Sequence, residues 1–121
     1  MSKRNIVHVE IPAADQTAAG TFYQQLFGWK ITPIPEMNYI MWESSDAVSS
    51  GGFTGVSQEL PAGQVIVYID SDDIDADLKQ VEKLGGKVVR VKEEIPGFGW
   101  FGIFRDPTGN ILALYTSNNP R

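Results

Sequence analysis

Apolar and polar residues follow two different periods along this chain. Near the start, Val7, Val9 and Ile11 alternate with polar neighbours, which is typical of a β-strand. Between Asp15 and Gly28, apolar residues recur at the spacing of a helix, with a capping residue before them and a glycine after them. The same criteria predict the remaining elements, which are strands at 29–34, 38–42, 48–56 and 65–70, a helix at 72–84, and strands at 87–91, 100–104 and 111–115.

The last two strands are joined by a turn that the sequence specifies closely. Asp106 can accept hydrogen bonds from the turn backbone, Pro107 sets φ near −65°, and Gly109 takes positive φ at no steric cost. Aromatic and branched side chains fill the segments on both sides of this turn. The segment 100–115 is therefore predicted to be a β-hairpin inside a packed sheet.

The two halves of the chain show the same order of elements. Asp15 and Asp73 each begin a predicted helix, Gly28 and Gly86 each end one, and both pairs are 58 residues apart. A common shift for both helix ends predicts a structural duplication. We expect an α+β domain of two βαβββ modules, at about 4–57 and 64–117, with the linker at 58–63. Each module would form a curved antiparallel sheet with its helix on one face, and the opposite faces would enclose a shared cavity.

Composition and charge narrow the classes of partner. The chain has 121 residues, which suits a single domain, and its net charge of −5 argues against a nucleic-acid surface. It contains no cysteine, which excludes disulfides and thiolate chemistry. With no charged and apolar leader and no apolar run of about 18 residues, we expect a cytoplasmic protein without a membrane contact. Small molecules, or a second copy of the chain, are the partners that this composition favours.

Three segments carry a resemblance to a known family. They read IVHVEIPAADQTAAGTFYQQLFGWKI, VYIDSDDIDADLKQVEKLGGKVV and IPGFGWFGIFRDPTGNILALY, and together they cover most of the chain. They resemble the vicinal oxygen chelate superfamily, which contains glyoxalase I, bleomycin-resistance proteins and extradiol dioxygenases. The resemblance implies the same two-module fold around a cavity, and it also implies a homodimer.

The resemblance further implies four metal-ligand positions, of which this chain retains one. The first position is His8, and the duplicated one is Ile66, which has no lone pair. The position on the last strand is Ala113, and the corresponding place in the first module falls near Gly51 or Gly52. Because a catalytic divalent metal needs about three protein ligands, we expect no metal cofactor. If a metal is bound, His8 would be its ligand, and Glu10 would be a second ligand that coordinates through oxygen.

Two further sets of residues are candidates for a site. His8 and Glu10 lie on the same side of the first strand, where they are either structural groups or an acid–base pair, since imidazole titrates near neutral pH. Six aromatic residues are assigned to the cavity side, where they either fill the core or bind an aromatic, planar ligand. These six are Trp42, Phe53, Tyr68, Trp100, Phe104 and Tyr115.

Three hypotheses of function follow from these patterns. The first is a metal-independent protein that binds a small molecule, because three of the four ligand positions are lost and aromatic residues line the predicted cavity. The second is an enzyme of the superfamily, a lyase, isomerase or dioxygenase, that uses His8 with or without a divalent metal. The third is a degenerate interaction domain whose groove binds another protein.

Overall fold

The computed structural model describes residues 2–118, which contain eight strands and two helices in the predicted order. The elements of the first half are β1 (Ile6–Pro12), α1 (Gln16–Phe27), β2 (Lys30–Ile34), β3 (Tyr39–Glu43) and β4 (Ser50–Thr54). Those of the second half are β5 (Ile66–Asp70), α2 (Ile74–Lys83), β6 (Lys87–Ile95), β7 (Gly99–Arg105) and β8 (Ile111–Ser117). A short 3-10 turn, Pro35–Met37, separates β2 from β3. The α+β class and the two βαβββ modules are confirmed.

The first compact unit contains residues 7–66. Its strands follow the order β2-β3-β4-β1, and α1 packs against β2 and β3, where Gly20 approaches Ile31 and Ile40. The Asp15 side chain caps α1 by accepting a hydrogen bond of 2.9 Å from the Ala18 amide. The helix ends at Gly28, which has φ of 74°. Both predicted ends of this helix are therefore confirmed.

The second compact unit contains residues 67–118 together with residues 2–6. Its strands follow the order β5-β8-β7-β6, and the Asp73 side chain caps α2 by accepting a hydrogen bond of 3.0 Å from the Ala76 amide. The left-handed residue after α2 is Gly85, with φ of 94°, so the predicted end of this helix at the pair Gly85–Gly86 is confirmed. The core under the helix consists of Ile74, Leu78 and Leu114, with Ile69, Val88, Trp100 and Phe104 packed around them.

The strands of each unit form a mixed sheet, whereas the sequence predicted antiparallel sheets. The three strands after each helix do pair antiparallel, but β1 pairs in parallel with β4, and β5 pairs in parallel with β8. The reason is the number of reversals in each module. The strand after the helix runs in the same direction as the first strand. Two antiparallel turns then reverse the chain twice, so the last strand of the module again runs parallel to the first.

The first residues of the chain are bound to the second unit. Arg4 donates from both guanidinium nitrogens to Asp77, at 2.5 and 3.0 Å. The Ser2 amide donates to the Asp72 carboxylate at 2.6 Å, and the Asp70 amide donates to the Asn5 carbonyl at 2.9 Å. The second unit is therefore built from both ends of the sequence. Within the described part of the chain, neither helix has the length and apolar character needed to cross a membrane.

Candidate functional site

Three polar side chains of the first unit form one hydrogen-bonded set, which we call the His–Tyr–Glu set: His8, Tyr39 and Glu10. The Tyr39 hydroxyl donates to Glu10 Oε2 at 2.6 Å and lies 2.7 Å from His8 Nε2. His8 and Glu10 are two residues apart on β1, so they point to the same face of the sheet. This is the face opposite α1, which we call the helix-free face. The structure thus brings the predicted pair together, with a tyrosine between them.

A missing side chain makes room for this tyrosine. Gly52 on β4 is the register partner of Glu10 on β1 and of Met41 on β3. A Cβ atom at Gly52 would lie 1.9 Å from the Tyr39 hydroxyl oxygen, far inside van der Waals contact. The neighbouring Gly51 faces the other way, towards the Trp42 ring. Of the two glycines near the implied ligand position, only Gly52 therefore lies on the helix-free face.

The His–Tyr–Glu set is partly removed from water. The side chain of His8 is 20% exposed and that of Glu10 is 11% exposed. Burial lowers the pKa of His8, and the nearby Glu10 carboxylate opposes this shift. His8 Nε2 and Glu10 Oε2 are 3.9 Å apart, so the hydroxyl between them connects two groups that do not share a direct hydrogen bond. The arrangement can pass or share protons around a largely neutral imidazole.

The face predicted for the aromatic residues is wrong for two of them in the first unit. Phe53 is fully buried and stacks on Tyr23 of α1, with ring centroids 5.7 Å apart. Trp42 stacks on Trp29 at 3.9 Å, and Trp29 in turn stacks on Tyr23. These rings form the core between the helix and the sheet. Alternation separates the residues of a strand into two faces, but it does not say which face the helix covers when both are apolar.

The same correction applies to two residues of the second unit. Trp100 and Phe104 pack against the core under α2. Tyr68 pairs with Ala113, which lies on the opposite side of β8 from the core residue Leu114, and Tyr115 shares that side. The Tyr115 hydroxyl donates to the Phe98 carbonyl at 3.0 Å. Of the six predicted ligand-binding rings, Tyr68 and Tyr115 thus lie on the helix-free face of their sheet.

The residues at the implied metal positions do not fit a metal. Ile66 and Ala113 are fully buried and have no donor atoms, and Gly52 has no side chain. His8 and Glu10 are both engaged by the Tyr39 hydroxyl. Among residues 2–118, no group of three His, Asp or Glu side chains is arranged to hold a metal ion.

Sequence reasoning missed Tyr39 as a site residue. Two signals were available: Tyr39 lies on the other side of its strand from Ile40 and Trp42, and two consecutive glycines interrupt the partner strand. Glycine inside a strand often marks a close approach by another group. The identity of that group depended on the β3–β4 register, which places Tyr39 beyond the last paired residue, Ile40.

Comparisons with known proteins agree with the fold. A family model described as bleomycin resistance protein-like N-terminal matches residues 5–45. A glyoxylase-like domain-containing protein of Didymella fabae is 31% identical over 118 residues, which cover 89% of this chain and 90% of that protein.

Two further proteins extend the comparison. The anthracycline biosynthesis protein DnrV of Streptomyces peucetius is 27% identical over 123 residues, covering 88% of this chain and 44% of that protein, so this chain spans less than half of its length. A methylmalonyl-CoA epimerase of Streptomyces coelicolor, solved with 2-nitronate-propionyl-CoA, has the same fold, with a TM-score of 0.71, 20% identity, and coverage of 98% of this chain and 100% of that chain. On the family match and the relative from Didymella fabae, this chain belongs to the vicinal oxygen chelate superfamily, the family of glyoxalases and bleomycin-resistance proteins.

Proposed function

We propose that this protein binds a small organic molecule on the helix-free face of the first unit, without a divalent metal. The observation that supports this proposal is the His–Tyr–Glu set, in which hydrogen bonds of 2.6 and 2.7 Å link a carboxylate, a phenol and an imidazole. Binding sites in proteins typically combine apolar walls with a few convergent polar groups that orient the ligand. The His–Tyr–Glu set supplies such polar groups, and it keeps partial exposure to solvent.

The chemistry of the set indicates what it can recognise. Glu10 offers carboxylate oxygens, and hydrogen bonds to an ionised group are about twice as strong as those between neutral groups. His8 is held largely neutral by burial, so one of its ring nitrogens is a donor and the other an acceptor, and Nε2 is the nitrogen that contacts the Tyr39 hydroxyl. A ligand that donates hydrogen bonds to a carboxylate and to an imidazole nitrogen matches these groups.

An aromatic ligand remains part of the proposal. The Tyr39 ring, which stacks on His8, supplies an aromatic surface on the helix-free face of the first unit, and Tyr68 and Tyr115 lie on the helix-free face of the second unit. Aromatic rings bury a large area and favour stacked or edge-to-face contacts with planar molecules. The name of the relative DnrV places it in the biosynthesis of anthracyclines.

The proposal is tested by a thermal shift screen of planar organic molecules. A ligand at about a hundred times its dissociation constant adds roughly 2.7 kcal/mol to the free energy of unfolding, which gives a clear rise in Tm. The rise should occur in the wild type and in the control Tyr23→Phe, and it should shrink in His8→Ala and Tyr39→Phe. A ligand whose effect is equal in all four proteins binds elsewhere, and this would refute the assignment of the site.

A second candidate, a metal-free isomerase or lyase, is favoured by the lowered pKa of His8. A neutral imidazole at neutral pH can act as a general base, and Glu10, connected through Tyr39, can stabilise the imidazolium that forms. Once a ligand is known, His8→Ala should abolish its turnover while Tyr23→Phe keeps it. Full activity of His8→Ala would exclude this mechanism.

A homodimer also belongs to the proposal. Phe22, Leu26 and Phe27 are each more than half exposed on α1. Large apolar side chains that are exposed on one helix favour association with another surface. At micromolar concentration the protein should elute from a sizing column as a dimer, and Leu26→Glu should elute as a monomer. A wild-type monomer under these conditions would refute this part of the proposal.

A further inference from the structure

The Tyr39 ring fills space that belongs to residue 52. A Cβ atom at Gly52 would lie 1.9 Å from the hydroxyl oxygen of Tyr39 and 2.1 Å from Cζ of the ring. The resemblance implies a metal ligand of the first module near this glycine, and the first-strand ligand position is His8. In this chain a phenol hydroxyl stands in that space and lies 2.7 Å from His8 Nε2. The Tyr39 hydroxyl thus connects His8, the retained ligand position, with Glu10.

The hydrogen bonds of the set fix where the protons lie. Tyr39 has one hydroxyl hydrogen, and it is donated to Glu10. In its contact of 2.7 Å with His8 Nε2 the phenol oxygen is then the acceptor, so the neutral imidazole carries its hydrogen on Nε2. The hydroxyl also lies between His8 Nε2 and Glu10 Oε2, which are 3.9 Å apart. His8 and Glu10 are therefore connected by two hydrogen bonds through the Tyr39 hydroxyl and not by a direct one.

We infer that Tyr39 is a positioning residue of this site: its hydroxyl, seated in the space that Gly52 leaves open, sets His8 in the Nε2–H form. A ligand of His8 therefore meets an imidazole whose donor and acceptor nitrogens are already assigned. This inference rests on the site of the proposed function, but it describes the protein without ligand. The two proposals can therefore fail separately.

The test uses the fact that His8 is the single histidine of the chain. In ¹⁵N-labelled protein at pH 8, a long-range ¹H–¹⁵N correlation spectrum reports directly which imidazole nitrogen carries the hydrogen. The wild type should show the Nε2–H form, and so should the control Tyr23→Phe, which removes a phenol hydroxyl on the helix face. Tyr39→Phe keeps the ring but not the hydroxyl, so the two nitrogen shifts should move towards the average of both forms.

A pair of glycine variants tests the role of the open space. Gly52→Ala should displace the Tyr39 ring and reproduce the spectrum of Tyr39→Phe. Gly55→Ala has no atom within 4 Å of the new Cβ and should leave the spectrum unchanged. If Gly52→Ala does not fold, the nitrogen shifts of Tyr39→Phe alone test the inference.

Two results would overturn the inference: a wild-type imidazole in the Nδ1–H form, or Tyr39→Phe with both nitrogen shifts as in the wild type. An Nε2–H imidazole in a protein that binds none of the screened ligands would support the inference while counting against the proposed function.

Discussion

Replacing Gly52 by alanine is the sharpest test of how the site is built. The new Cβ would lie 1.9 Å from the Tyr39 hydroxyl oxygen, and 2.1 and 2.6 Å from Cζ and Cε2 of the same ring. The ring must therefore leave its place, and its hydrogen bonds to Glu10 and His8 are lost. A matched change is available at Gly55, where a Cβ meets nothing within 4 Å.

The expected cost follows from the bonds that are broken. A hydrogen bond to a charged group contributes about 1.5–3 kcal/mol, and a bond between neutral groups contributes about 0.5–1.5 kcal/mol. Alanine restricts the unfolded chain more than glycine does, which returns about 0.4–1 kcal/mol. Gly52→Ala should therefore lower the free energy of unfolding by about 2–3 kcal/mol. The cost of Gly55→Ala should stay within about 0.5 kcal/mol, the usual range for exposed substitutions.

A double-mutant cycle separates this clash from a general effect on β4. In a Tyr39→Ala background the new Cβ has no ring to displace, so Gly52→Ala should cost less than about 0.5 kcal/mol there. The coupling energy between the two positions should then reach about 2 kcal/mol, within the range measured for residues in contact. Urea unfolding followed by tryptophan fluorescence measures all four proteins. Additive effects of the two substitutions would show that Tyr39 does not occupy the space beside Gly52.

Three other predictions concern the turn, the N-terminal segment and metals. Hydrogen bonds from Asn110 and Thr108 lower the pKa of Asp106 to about 2, so the stability that its ionised carboxylate contributes should be fully present well above pH 4 and should be lost as the pH falls from 4 through 2. Urea unfolding of the wild type and of Asp106→Ala across this range measures it, and a difference between the two proteins that does not change with pH would contradict it. Arg4→Ala should lower the free energy of unfolding by about 0.2–1 kcal/mol at low salt and by less in 1 M NaCl, because the ion pair with Asp77 is partly exposed. Lys3→Ala is the control, and an effect that does not depend on salt would count against an ionic contribution. Adding zinc, nickel, manganese or iron(II) to metal-stripped protein should leave Tm unchanged, and a rise that disappears in His8→Ala would show that a metal site exists.

Local signals in the sequence predicted most of the fold. Asp15 and Asp73 cap their helices as expected, because an N-cap needs only a side-chain oxygen three residues before a free amide. The hairpin after Asp106 follows equally from its own residues, and Gly109 has φ of 99°. These features depend on neighbours in sequence. Their prediction needs no knowledge of tertiary packing.

The site was harder to predict because it depends on strand register and on which face the helix covers. The choice of His8 and Glu10 followed from alternation within one strand, and the structure places them together. The partner Tyr39 comes from a different strand, beside a glycine pair. Trp42 and Phe53 were assigned to the wrong face because both faces of these strands carry apolar residues, and only the contact with α1 distinguishes them.

The binding of residues 2–6 to the second unit has a consequence for synthesis on the ribosome. Arg4 leaves the exit tunnel well before its partner Asp77, which is 73 positions later in the chain. The first unit, residues 7–66, is complete before that partner has been made. Residues 2–6 are therefore without this partner until residue 77 has left the tunnel. Closing the second unit is then the step that joins the earliest and latest parts of the described chain.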